Sequence, residues 1–199
     1  LYNVIDRIYI GRIPNAATLA MGGLGLCLPI ISIVIAFANL FGMGGAPLCS
    51  IARGRGDNEE AEEIMGNAFF LMISFGIVIT IVGLIFKEDL LWLFGASKDT
   101  ITYANDYLTI YLLGTIFVMT GLGMNSFINS QGFAKIGMMT VLIGAVLNII
   151  LDPILIFNCQ LGVKGAAIAT IVSQCISALW TLKFLTGKQT ILRLRKEKM

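Results

Sequence analysis

Residues 13 to 52 carry no charged side chain. Soluble domains have about a quarter of their residues charged, so forty consecutive uncharged positions point away from an aqueous surface. A helix that crosses a bilayer needs about 20 mainly apolar residues, and at about 1.5 Å per residue this run is too long for one crossing. The polar stretch Pro14-Asn15-Ala16-Ala17-Thr18 therefore reads as a turn, followed by one long helix over roughly residues 19 to 50. Pro29 and the group Gly42, Gly44, Gly45 and Pro47 fall inside it, where bent or locally broken backbone is expected.

The same ruler divides the remainder. A further crossing fits residues 64 to 86, ended by Lys87-Glu88-Asp89, and Leu90 to Gly95 suits a short helix lying in the membrane interface. Crossings over residues 103 to 131, 136 to 157 and 166 to 185 follow. The opening, apolar apart from Asp6 and Arg7, reads as the inside of another transmembrane helix rather than a signal peptide, for it has no basic leader and no small-residue cleavage site. With 57% hydrophobic and 13% charged residues and a mean hydropathy of +0.86, the expected fold class is all-α. The expected architecture is a multi-pass membrane bundle of about six helices.

Composition also removes function classes. A net charge of +2 with no basic stripe gives nucleic acid nothing to bind. Histidine is absent, so proton chemistry falls to Asp and Glu, and imidazole metal sites are excluded. Cys27, Cys49, Cys159 and Cys175 have no CxxC spacing and read as small packing residues. No HExxH, GxSxG or cluster of metal ligands suggests an enzyme.

Five of the fourteen basic residues, Lys188, Arg193, Arg195, Lys196 and Lys198, lie in the last twelve positions, so residues 188–199 read as a basic cytoplasmic tail or inter-lobe linker. Alternating crossings put Arg53, Arg55, Lys135 and Lys183 on the same side, nine basic residues against five opposite. Between them, Gly56 and Asp57 suggest a break and a capped, acidic helix start.

Two carboxylates stand inside apolar runs. Asp152 lies in the stretch Gly144 to Phe157, with Asn148 four residues earlier and Pro153 next to it. On a helix that spacing puts amide and carboxylate on one face, and the proline loosens the backbone beside them. Asp6 has Asn3 on its face in the same manner. A charge in hydrocarbon costs roughly 3 kcal/mol on insertion scales, so such acids face a bundle interior or a cavity. Starved of water, a carboxylate loads and releases a proton or holds a sodium ion. The bland alternative for Asp152 is a cap of the kink at Pro153. Asn125 and Asn129 share a face and would either line a pore or glue helices together. Met124, with Met119, Met138 and Met139, offers flexible apolar surface for varied substrates or fills the core. Asp106, close to a helix start, suits the helix dipole. The row Gly165, Ala169, Ser173, Ser177 reads as a close-packing face.

Five ordered segments carry a resemblance. Leu1 to Arg12, Ser50 to Gly56 with Glu59 and Ala61, Asn129-Ser130-Gln131-Gly132, Leu147 to Ile156, and Gly162-Val163-Lys164-Gly165-Ala166-Ala167 resemble blocks of the multidrug and toxic compound extrusion (MATE) transporters in the same order. Phe133 departs from the family's usual small or polar residue after the glycine. The resemblance implies a twelve-helix antiporter of two six-helix lobes, of which residues 1–187 would be the amino-terminal lobe with helix 1 truncated and the second lobe missing. It would export amphipathic or cationic small molecules across the cell membrane in exchange for protons or sodium, with no other cofactor. Coupling-ion residues would then be Asp6, Asn148 and Asp152, with Asn129 near them; from the residues alone, Asn3, Asn125, Asn129 and Met124 are the substrate-cavity candidates and Pro29 and Pro153 the expected kinks. A lipid-linked oligosaccharide flippase of the same superfamily would favour basic residues along the cavity, and a non-transporting remnant or scaffold is the remaining reading.

Overall fold

Seven α-helices and one π turn make up the computed structural model, which describes residues 2–14, 16–187 and 189–194, the side chains of Tyr2 and Asn3 excepted. They are α1 (Tyr2–Ile10), α2 (Ala17–Gly54), α3 (Asn58–Leu93), α4 (Ile101–Leu113), α5 (Thr115–Ser130), α6 (Ala134–Pro153), the π turn Ile154–Asn158, and α7 (Val163–Thr186). Among the described residues four helices are long and apolar enough to cross a membrane, and α4 with α5, bent by 57° at their junction, counts as a fifth if the pair is one span. α1, at nine residues, is too short to cross by itself, and it stands first in the order, where the truncated helix was expected.

The boundaries lengthen for physical reasons. Gly56, at φ +83°, turns the chain, and Asp57 then caps α3 by accepting from the Glu60 amide at 2.9 Å. Glu59 and Glu60 extend that first turn, where acids are favourable with the helix dipole. At the other end α3 runs through Lys87-Glu88-Asp89 to Leu93, so no separate interfacial helix forms at 90–95. Lys and Glu hydrated beyond the lipid are good helix formers, and a single Asp beside them need not end the helix. Lys87 instead hydrogen bonds to Thr109 of α4 at 2.6 Å. The expected break in α2 is also missing, since the chain stays helical past Pro29, the glycine group and Pro47. Gly42 serves close packing: a Cβ there would lie 2.6 Å from the Gly123 backbone of α5.

The bend at Gly114 is the feature that positions the site. Gly114 has no room for a Cβ against Ile171 of α7. The Leu112 carbonyl at the break accepts from Thr80 of α3 at 2.9 Å; a neighbour's hydroxyl thus satisfies the interrupted ladder, as interior backbone in lipid requires. Two apolar clusters hold the bundle. One joins Leu24 and Ile31 of α2, Tyr107 and Leu112 of α4, and Ala166 of α7. The other joins Met65 and Met72 of α3, Met124 and Phe127 of α5, and Leu185 of α7. Side chains such as Leu40, Phe70, Ile81 and Ile85 point outward as large exposed apolar groups, a surface suited to lipid.

The π turn follows Pro153 directly. Its Cys159 amide reaches the Ile154 carbonyl at 2.9 Å, and the start of α7 presses on it, since a Cβ at Gly165 would lie 2.6 Å from the Leu155 carbonyl. After α7 the chain doubles back. Gln131 Oε1 accepts from the Thr190 hydroxyl at 2.7 Å and from the amides of Ile191 and Leu192 at 3.1 and 2.9 Å. The Arg193 amide donates to Glu62 at 3.0 Å, and Leu192 and Leu194 are buried. Residues 189–194 thus form a strap across the end of the bundle at which α5 and α7 finish. Phe133 packs edge-on against Phe184 at 5.2 Å beside it.

Candidate functional site

Asp6 and Asp152 come together, although 146 positions separate them. Asn148, one turn before Asp152 on α6, donates its amide to Asp152 Oδ1 at 3.0 Å and to Asp6 Oδ1 at 3.4 Å. All three side chains are 0% exposed. The face-sharing spacing read from the sequence is the geometry that allows one amide to bridge two acids.

Two further side chains complete the cluster. Tyr107 of α4 donates its hydroxyl to Asp6 Oδ2 at 2.6 Å, carried there by the segment before the 57° bend. Thr170 of α7 donates to Asp6 at 2.9 and 3.1 Å, and its oxygen lies 3.5 Å from the Asn148 amide nitrogen. Sequence reasoning passed over both. Tyr107 stands beside Asp106, whose charge suits a helix start, and Thr170 stands next to the small-residue row. For Thr170 the available signal was a polar residue in a small, apolar stretch about two turns into α7; Tyr107 carried none that Tyr103 and Tyr111 do not share. Asp106 itself pairs with Lys164 at 3.4 Å, both partly exposed.

The arrangement is unequal in a useful way. Asp6 is held by a phenol, a threonine and an amide. Asp152 Oδ2 and Asn148 Oδ1 are buried without a hydrogen-bond partner. Two carboxylates bridged by one amide repel each other when both are ionised, and a small cation relieves that repulsion. The free oxygens, with Asp6 and the Thr170 hydroxyl, form an all-oxygen donor set of the kind that hard cations prefer.

The other candidates lie elsewhere. Asn125 and Asn129 direct their amide oxygens toward Gly137 of α6, and Met124 is fully buried in the apolar cluster with Met65, Met72 and Phe127. The side chain of Asn3 lies outside the described residues.

Residues 1–154 match the family model described as MatE. The chain belongs to the MatE family. It is a multi-pass membrane protein, and its fold is that of a MATE lobe. The multidrug export protein MepA of Staphylococcus haemolyticus (strain JCSC1435) is 32% identical over 192 residues, which cover 96% of this chain and 42% of that protein. MepA of Staphylococcus aureus (strain MRSA252) is 29% identical over 180 residues, 90% of this chain and 40% of that one. A crystal structure of MATE in the bent conformation superposes with a TM-score of 0.93 at 28% identity, covering 100% of this chain and 44% of that one. The inward-facing conformation of a multidrug resistance MATE family transporter of the MOP superfamily superposes at 0.92 and 28%, with coverage of 100% and 44%. This chain therefore spans less than half the length of these MATE relatives.

Proposed function

We propose that this chain is the amino-terminal lobe, residues 1–187 with the linker 188–199, of a secondary antiporter. It exports amphipathic or cationic compounds in exchange for protons or sodium ions. The observation that carries this reading is the buried pair Asp6 and Asp152 bridged by Asn148, with two oxygens uncommitted. Relatives named as multidrug export proteins supply the class of cargo. The second lobe would form the other wall of the cavity.

The chain's own residues suggest the coupling step. A proton or sodium ion reaching Asp152 Oδ2 cancels one of two adjacent charges, and the amide bridge transmits the change to Asp6 on α1. At the end of α6 the helix gives way to a π turn at Pro153, a local departure from the α ladder of the kind found at kinks and functional sites and a place where the helix can repack. Cation binding favours one packing and release the other, which links ion influx to export of substrate.

Asp152→Asn in the full-length transporter tests the proposal. The amide keeps the shape and loses the charge, so ion-driven efflux from proteoliposomes should fall to background while membrane insertion is retained. Normal efflux in that variant would sink the reading. Sodium and proton gradients imposed in turn on the unaltered protein identify the coupling ion.

A further inference from the structure

Inward from the acid cluster, the α7 side of its crossing with α6 stays polar. On α7, Thr170, Ser173, Gln174, Ser177 and Thr181 share one face at helical spacing, and all five are buried. On α6 the buried residues run Asp152, Asn148, Ala145, Gly144, Thr140 and Gly137, so the middle of the seam is lined by α7's hydroxyls against small residues of α6. Ser177 donates to the Thr140 carbonyl at 2.9 Å and so fixes the register. At Gly137 the missing side chain leaves space that the amide oxygens of Asn125 and Asn129 approach from α5. Asn129 is exposed at the inner end. From Thr170 to Thr181 the seam rises about 16 Å, roughly half the thickness of the hydrocarbon core.

Close packing of small residues explains the row only in part. Five buried polar atoms along the seam lack a hydrogen-bond partner: Asp152 Oδ2, Asn148 Oδ1, Ser173 Oγ, Asn125 Oδ1 and Thr181 Oγ1. Ser173 and Thr181 are 0% exposed. A buried hydroxyl left unpaired costs free energy, and alanine at 173 or valine at 181 would pack equally well without that cost. Polar atoms in such a chain are where buried water is held, because each water needs two to four polar partners.

We propose that this seam is a hydrated path, running between α5, α6 and α7, by which a small monovalent cation released from the Asp6 and Asp152 cluster reaches the cytoplasmic end at Asn129. The inference rests on reading that cluster as the coupling site. The path carries no fixed charge inward of Asn148. Hydroxyls and amides pass a cation along without trapping it, whereas a carboxylate midway would hold it.

The test uses isosteric changes in the full-length transporter in proteoliposomes. Ser173→Ala combined with Thr181→Val removes both unpaired hydroxyls and adds no bulk; Thr181→Ser keeps its hydroxyl. The double variant should slow efflux about tenfold under whichever gradient, sodium or proton, drives the unaltered protein, equivalent to about 1.4 kcal/mol on the limiting barrier. The concentration of outside ion giving half-maximal efflux should not change, and Thr181→Ser should transport normally. If the hydroxyls are structural only, the double variant will unfold at higher temperature and transport at the normal rate, which overturns the proposal. Equal loss in Thr181→Ser and the double variant also overturns it, since bulk rather than polarity would then matter. Asp152→Asn run alongside separates the two levels. Lost efflux there with a normal double variant rejects the path alone, and normal efflux there removes the coupling site itself.

Discussion

At the residue scale the cluster is a matter of how many donors each acid receives. Asp6 accepts from Tyr107, Thr170 and Asn148, while Asp152 accepts from Asn148. Tyr107→Phe withdraws the shortest of these bonds from Asp6. A hydrogen bond to a charged group contributes roughly 1.5–3 kcal/mol, so the ionised carboxylate is left less stable and a bound cation is held more tightly. The expected result is a coupling-ion affinity raised on the order of ten- to a hundredfold, with slower turnover because release is impeded. Efflux measured against ion concentration checks both, and a weakened affinity would count against the assigned role. Asn148 and Asp152 could be paired from spacing alone. Tyr107 could not, because nothing local distinguishes it from Tyr103 or Tyr111 on the same helix.

At the element scale, glycines that look alike in sequence have different duties. Gly42 and Gly44 belong to one group, read as a weak point in α2. In the bundle, Gly42 abuts the backbone of Gly123, whereas a Cβ at Gly44 would meet nothing within 4 Å. Gly42→Ala should therefore force α2 and α5 apart at a cost of about 1–3 kcal/mol, the usual range for overpacking. Gly44→Ala should leave stability unchanged or slightly raised, since alanine is the better helix former. Thermal unfolding of both variants in detergent distinguishes the cases. The bend at Gly114 belongs to the same scale: a single glycine in an apolar run is unremarkable until Ile171 of α7 is seen to occupy the space beside it.

At the scale of the whole molecule, one side chain takes most of the hydrogen bonds that tie the strap to the end of the bundle. Gln131 Oε1 receives three donors from the strap, and the Leu194 amide returns to the Leu185 carbonyl at 2.9 Å. Gln131→Leu would leave those three donors without their acceptor. The strap should then open locally, with faster hydrogen exchange at the amides of Ile191 and Leu192 while the α2 to α5 core stays protected. Unchanged exchange at both amides would show that Leu192 and Leu194 hold the strap by burial alone. Composition had marked this region as a basic tail or linker; that its first described residues fold back on Gln131 and Glu62 follows from contacts that charge counting does not see.

The all-helical class, the order of the helices and the pairing of Asn148 with Asp152 were determined by the sequence itself. Charge-free length and helical spacing are local properties, readable within a few turns. The ends of α3 were less legible, because hydrated charges and lipid-facing leucines are both compatible with helix. The partners of Asp6 were decided by tertiary structure alone. Tyr107 is 101 residues from it and Thr170 is 164, and no periodicity within one helix encodes which side chains meet across a bundle. The same holds for the 57° bend that delivers Tyr107 and for the unpaired polar atoms along α7, since a missing partner exists only relative to the helices packed around it.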